Sequence, residues 1–218
     1  MTDEISELKG RVEKILALLE KEHPDAKVTL EFSNPLELLV ATILAAQCTD
    51  AKVNQVTETL FQKYRTAEDY ANADLATFEK EIKPTGFYRA KAKRIRDACR
   101  MLVDKFGSQV PQTMDELLKV PGVARKTANI VLSNAYGKYE GIAVDTHVLR
   151  LVKRLGLTSS KTREKIEADL MQIVPKESWL KFSDLLIFHG RRVCNAKKPK
   201  CNQCVLKDLC PFAFSFGF

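Results

Sequence analysis

Apolar residues recur at helical spacing through most of the chain. Ile5, Leu8, Val12, Ile15, Leu16 and Leu19 fall on one stripe and predict an amphipathic first helix. His23-Pro24 ends it, because the residue before proline avoids the helical region. Asn34-Pro35-Leu36-Glu37 is a start signal, with Asn as cap, Pro at the first helical position and Glu at the third. The segment from Pro35 to about Ala46 is apolar on every side, so its helix belongs in a core. Thr49 or Asp50 caps the next helix, and Thr66-Ala67-Glu68-Asp69 opens another. Val28, Leu30 and Phe32 alternate with polar residues at strand period, but no partner strand presents itself, so the segment reads as an extended connector. Thr113-Met114-Asp115-Glu116 is a capping box for a short helix that Pro121-Gly122 breaks. A further amphipathic helix runs from near Arg125 through Ile130, Val131 and Leu132 to about Tyr136. The expected fold class is all-α.

At 218 residues the chain allows one or two domains, and 45% hydrophobic residues supply a core. The acidic start Met1-Thr2-Asp3-Glu4 is not that of a signal or transit peptide. No apolar run approaches membrane-spanning length, so no membrane partner is expected. The net charge of +7 is unevenly placed: residues 83–105 carry +6, residues 191–210 carry +5, and the remainder is acidic. Lys83, Arg89, Lys91, Lys93, Arg94, Arg96, Arg100 and Lys105 make the first patch. Alone, it reads as a solvated helix face; two such patches together point to a phosphate backbone.

Cys194, Cys201, Cys204 and Cys210 form a C-x6-C-x2-C-x5-C run. Four thiolates so close in sequence can ligate one centre, either zinc or an iron–sulfur cluster. A pair of disulfides needs an oxidising compartment that nothing else suggests. Cys48 and Cys99 read as core residues. Upstream, the break at Pro121-Gly122 between two helices makes a helix–hairpin–helix. Its backbone N–H groups, from Gly122, Val123, Ala124, Arg125 and Thr127, suit an anionic phosphate oxygen at a helix N-terminus.

Val120-Pro121-Gly122-Val123-Ala124-Arg125-Lys126-Thr127-Ala128-Asn129, then Val144-Asp145-Thr146-His147, then the cysteine run, resemble the endonuclease III family of helix–hairpin–helix DNA glycosylases. The resemblance runs from about Phe32 to Cys210 and rests on three motifs in order. It implies two helical domains flanking a DNA-binding cleft. Residues 28–137 would form a six-helix domain with the hairpin; residues 1–27 and 138–218 would form the cluster domain. It also selects a [4Fe–4S] cluster over zinc. At Ala124 the family often has a second glycine; alanine keeps the N–H but disfavours positive φ.

The implied chemistry assigns roles. The target nucleotide is flipped from the stack. Lys126 matches the family's Schiff-base lysine, which attacks C1′ and forms an imine with the opened sugar. A lysine attacks only as the free amine, and a helix N-terminus beside Arg125 weighs against the ammonium form. Asp145 matches the catalytic aspartate, stabilising charge on the sugar and helping to move protons; it also reads as a helix cap. Gln47 resembles the residue that fills the gap left by the flipped nucleotide, and Phe87 an apolar wedge at the opposite strand. Lys197, Lys198 and Lys200 would meet phosphates, with the cluster as a staple for their loop. His147 reads as structural or a minor phosphate contact, His189 as a packing histidine and His23 as a terminus residue.

The expected function is a bifunctional DNA glycosylase and AP lyase that removes oxidised pyrimidines from duplex DNA and cleaves at abasic sites. A monomer of the short prokaryotic type is expected, in the cytoplasm and at the nucleoid. Two rivals exist. Adenine glycosylases of the same superfamily lack a lysine at the position of Lys126; a non-enzymatic iron–sulfur DNA-binding module has no need of both Lys126 and Asp145. The aromatic tail, Pro211 to Phe218, has no assigned role.

Overall fold

Short polar side chains begin most helices where the sequence pattern places them. The computed structural model describes residues 2–215, with side chains from Ile5 onward. In chain order the helices are α1 (Thr2–Glu22), α2 (Pro35–Leu44), α3 (Asp50–Lys63), α4 (Ala67–Ala71), α5 (Leu75–Ile82), α6 (Tyr88–Phe106), α7 (Met114–Leu117), α8 (Arg125–Tyr136), α9 (Thr146–Arg154), α10 (Arg163–Ile173) and α11 (Trp179–Arg192). Among the described residues there is no strand, and no helix is long and apolar enough to cross a membrane.

Asn34 Oδ1 accepts from the Glu37 N–H at 3.0 Å ahead of α2, while Glu37 Oε2 accepts from the Ser33 N–H at 2.6 Å. Thr49, not Asp50, caps α3. Thr66 and Asp69 form a reciprocal capping box ahead of α4. Helix α2 stops two residues before the expected end, because the chain tightens at Ala46 and Gln47 turns it at φ 54°. The Val28–Phe32 segment forms no strand. The Asn54 side chain stands in for a partner strand, donating to the Thr29 carbonyl at 2.8 Å and accepting from the Glu31 N–H at 3.0 Å.

The chain divides into two compact units, Thr29–Glu140 and the pair Met1–Val28 with Gly141–Phe218. In the first, α2 packs against α3, α6 and α8, with Leu38, Leu39, Val40, Ala41, Ile43 and Leu44 buried. Helix α6 lies against α4 and α5 through Ala92, Ile95, Ala98, Cys99 and Leu102. Lys91 sits on that buried face, so it does not contribute to the surface charge of the basic run around it. Arg89, Lys93, Arg94 and Arg100 of the same helix are exposed.

In the second unit α1 packs on α10 and α11, and α9 on α11. Val12, Ile15, Leu16 and Leu19 of the predicted stripe are buried, whereas Ile5 and Leu8 are half-buried. Arg11 crosses this unit to donate to the carbonyls of Leu155 (2.7 Å) and Leu209 (3.0 Å). Phe212 and Phe214 of the tail are exposed; Phe216, Gly217 and Phe218 lie outside the described residues.

Candidate nucleic-acid interface and cysteine centre

The turn between α7 and α8 closes when the Val123 N–H donates to the Val120 carbonyl at 3.1 Å. Gly122 takes φ +82°, and a Cβ there would meet Arg94 Cβ at 3.3 Å, so glycine serves both the turn and the approach of α6. Ala124 lies at φ −99° and ψ 169°, ordinary extended backbone. The alanine therefore costs no strain, and a second glycine is not required. Ala124 precedes α8 and offers no side-chain cap, so no N-cap side chain competes with an anion at the start of this twelve-residue helix. Lys126 is exposed in that first turn; Arg125 and Thr127 are half-buried. The Val123 side chain is buried, which limits its contact with a ligand to the backbone.

Gln47 and Phe87 are exposed and belong to the same unit. Both are non-glycine residues in the left-handed region, at φ 54° and φ 48°. That conformation costs a side-chain-bearing residue about 1–2 kcal/mol. Phe87 is 66% exposed, an apolar ring held out into solvent on strained backbone. Such strain persists only where the surroundings enforce it, and it concentrates at functional sites.

In the other unit, Asp145 caps α9. Its Oδ1 accepts from the N–H groups of His147 (2.7 Å) and Val148 (2.8 Å), so the cap uses one carboxylate oxygen. His147 Nδ1 accepts from Arg150, since a guanidinium only donates, at 3.2 Å; burial lowers the pKa of this imidazole. Arg150 also donates to the carbonyls of Gly190 and Cys194, both at 3.0 Å. His147 is thereby tied to Arg150 while remaining half-buried.

Cys194, Cys201, Cys204 and Cys210 are half-buried and line one small cavity of about 30 Å³, together with Arg154 and Phe212. Arg154 donates to Cys194 Sγ at 3.2 Å and to the carbonyls of Asn195 and Ala196 at 2.8 Å each. At Cys204 the donor is His189. Arg192 can only donate, so His23 Nδ1 accepts at 3.5 Å; His23 Nε2–H then donates to His189 Nδ1 at 3.1 Å, and His189 Nε2–H to Cys204 Sγ at 3.3 Å. Burial brings the pKa of His189 down to about 4, which keeps the ring neutral and suited to this relay. Burial pushes the Cys204 thiol up to about 11, and the other three cysteines add to it. The Cys210 thiol is raised by burial in the same way, so a positive centre in the cavity would favour the thiolate form of both. The donor set, the shared cavity and the N–H groups aimed at sulfur all fit a thiolate-bound metal group. Among the described residues no His, Cys, Asp or Glu set is arranged to hold a single metal ion. Lys197, Lys198 and Lys200 are exposed on the loop between the first two cysteines, which the Lys200 N–H anchors to the Val193 carbonyl at 3.0 Å.

The profile of the HhH-GPD superfamily of base excision DNA repair proteins matches residues 40–176. A protein of Synechocystis sp. named endonuclease III is 52% identical over 205 residues, 94% of each chain. Two solved structures, a non-covalent endonuclease III–DNA complex and a trapped endonuclease III–DNA covalent intermediate, match with a TM-score of 0.90 at 46% identity, over 95% of this chain and 97% of theirs. The chain belongs to the endonuclease III family. As a member it is a base excision DNA repair enzyme, a DNA glycosylase with AP lyase activity.

Several further residues have no motif of their own. Cys99 is buried as expected and its thiol is pushed up to about 12, but Cys48 is only half-buried. His23, which reads in sequence as a terminus residue, is buried against His189. Arg150 and Arg154 stand four apart on α9, a spacing that puts both on one face and is the one signal the sequence offers for them. Gly190 is an equally quiet requirement: a Cβ there would fall 2.9 Å from His147 Nδ1 and 3.0 Å from an Arg150 nitrogen. Gly190→Ala should destabilise the protein by about 1–3 kcal/mol through overpacking, read as a lowered denaturation midpoint. An unchanged midpoint would show that the two side chains yield freely.

Proposed function

We propose that this protein excises oxidised pyrimidines from duplex DNA and cleaves the strand 3′ to the abasic site, with Lys126 as nucleophile and Asp145 as the carboxylate that stabilises charge on the sugar. The observation that carries this reading is Lys126, an exposed amine in the first turn of α8, directly after the glycine turn of a helix–hairpin–helix. Uncapped N–H groups beside it hold a phosphate, so the amine meets the sugar of the same strand. Nζ bonds to C1′ as the damaged base leaves and takes up a proton. The sugar ring opens to an imine, which acidifies the C2′ proton. Loss of that proton expels the 3′ phosphate, and water then releases the lysine. Asp145 stabilises positive charge on the sugar and relays protons. A trapped endonuclease III–DNA covalent intermediate, solved for a relative, supports a bond between enzyme and substrate. Gln47 fills the gap left by the extruded nucleotide and Phe87 wedges the opposite strand. Residues 29–140 act as the hairpin domain and the remainder as the cluster domain.

The test is incubation with abasic and thymine-glycol duplexes, with and without borohydride. Cleavage of both, and a covalent adduct under borohydride, supports the reading. Cleavage of the abasic duplex alone would leave a lyase without this glycosylase specificity.

The four cysteines would hold a [4Fe–4S] cluster, which when bound staples the basic loop. The purified protein should be brown, with a broad visible band and about four iron atoms per chain. Cys201→Ser should lose iron and DNA affinity together, since folding of the loop is coupled to the centre. A colourless protein with one zinc overturns this assignment. Replacing Lys197, Lys198 and Lys200 by Ala should weaken binding to damaged and undamaged duplex alike. The salt dependence should flatten by up to about 0.9 for each phosphate that is no longer neutralised. An unaltered slope would place these lysines away from the backbone.

A further inference from the structure

We propose that Lys91 is a positioning residue for base extrusion: its buried ammonium clamps together the two strained segments that carry Gln47 and Phe87. The proposal rests on the insertion roles given to those residues above. Lys91 is 1% exposed. Its Nζ donates to the carbonyls of Leu44 and Thr85, both at 2.7 Å, and its main-chain N–H donates to the Phe87 carbonyl at 3.1 Å. Leu44 is the last residue of α2, and Gln47 follows within the same turn. Thr85 ends the 3-10 turn Lys83–Thr85, and Gly86 and Phe87 follow it into α6.

Burying an ammonium is costly, and an apolar residue of similar volume fills a core position without that cost. The position itself calls for one, since it lies on the apolar stripe of α6 with Ile95, Ala98 and Leu102. What the ammonium adds is a link. It joins a carbonyl 47 residues away to one six residues away, with no carboxylate needed. Leu44 lies three residues before Gln47 and Thr85 two before Phe87, and both of those residues are in the left-handed region, at φ 54° and φ 48°. Leu44 is also in a last helical turn, where carbonyls lack intrahelical partners. One side chain therefore satisfies both segment ends, resists relaxation of both strained residues and fixes the spacing between the points where Gln47 and Phe87 leave the surface. Two side chains that enter one opened base stack need that spacing held.

The experiment compares wild-type protein, Lys91→Met, Gln47→Ala and Phe87→Ala. Amide hydrogen exchange is followed at residues 45–48 and 85–87. Excision from a thymine-glycol duplex is measured beside cleavage of a preformed abasic duplex, which needs less help in opening. Lys91→Met should speed exchange in both segments and lower the excision-to-cleavage ratio by about ten- to a hundred-fold, as the two alanine variants should. A merely structural lysine lowers the denaturation midpoint but leaves that ratio alone, and such a result overturns the proposal. Folded Lys91→Met with unchanged exchange overturns the clamp. Alanine variants with an unchanged ratio overturn instead the insertion roles beneath it. Should Lys91→Met not fold, Lys91→Gln retains an amide donor and is read in the same way, with a smaller shift expected.

Discussion

Lys126→Ala should abolish both borohydride trapping and strand cleavage while DNA binding persists. Reduction traps only an imine, and an imine needs an amine at the sugar. Alanine removes the amine and nothing else of consequence. Lys126 is exposed, and the hairpin N–H groups that would hold phosphate come from the backbone. Fold stability should stay within about 0.5 kcal/mol, the usual range for a surface change. A small gain is the expected sign, because a cation in a first helical turn opposes the dipole. Lys126→Gln should behave the same way, since an amide nitrogen is not a nucleophile. A gel of borohydride-treated reactions on abasic duplex reads the result directly. Trapping at the wild-type level in Lys126→Ala would transfer the role to another amine.

Asp145→Asn should slow base excision by about 10²–10⁴-fold yet still trap abasic substrate. The asymmetry follows from the proposed division of labour, in which the lysine makes the bond and the carboxylate stabilises charge and moves protons. The cap geometry makes this substitution a clean probe. Asp145 holds the start of α9 through one oxygen that accepts from two N–H groups, and asparagine caps as well as aspartate does. Asp145→Ala, by contrast, should cost about 1 kcal/mol of stability as well. If Asn and Ala lower excision and stability in parallel, the residue is a cap and not a catalyst.

What can be read in the sequence is local. Asn34, Thr49, Thr66 and Thr113 each bond an N–H three residues on, so four adjacent letters suffice to predict the start of a helix. Gly122 is legible for the same reason, as its positive φ belongs to one tight turn. The cysteine run is legible because its four sulfurs are close along the chain. The family resemblance carries Lys126, Asp145, Gln47 and Phe87, but only the backbone angles show that the last two sit in strained conformations. Ala124 reads in sequence as a position that wants glycine; its extended φ depends on how α7 and α8 pack, and there alanine fits without strain.

Tertiary structure alone decides the partners of long polar side chains. Lys91 looks like one of eight cations in a basic run, and its meaning lies in a carbonyl 47 residues upstream. His23 and His189 meet across 166 residues, and Arg154 reaches a sulfur 40 residues away. Lysine, arginine and histidine bind through the tips of their side chains, and the partner of a tip is set by which helices come together. No spacing along the chain encodes that choice, whereas a helix cap or a glycine turn is complete within a few residues.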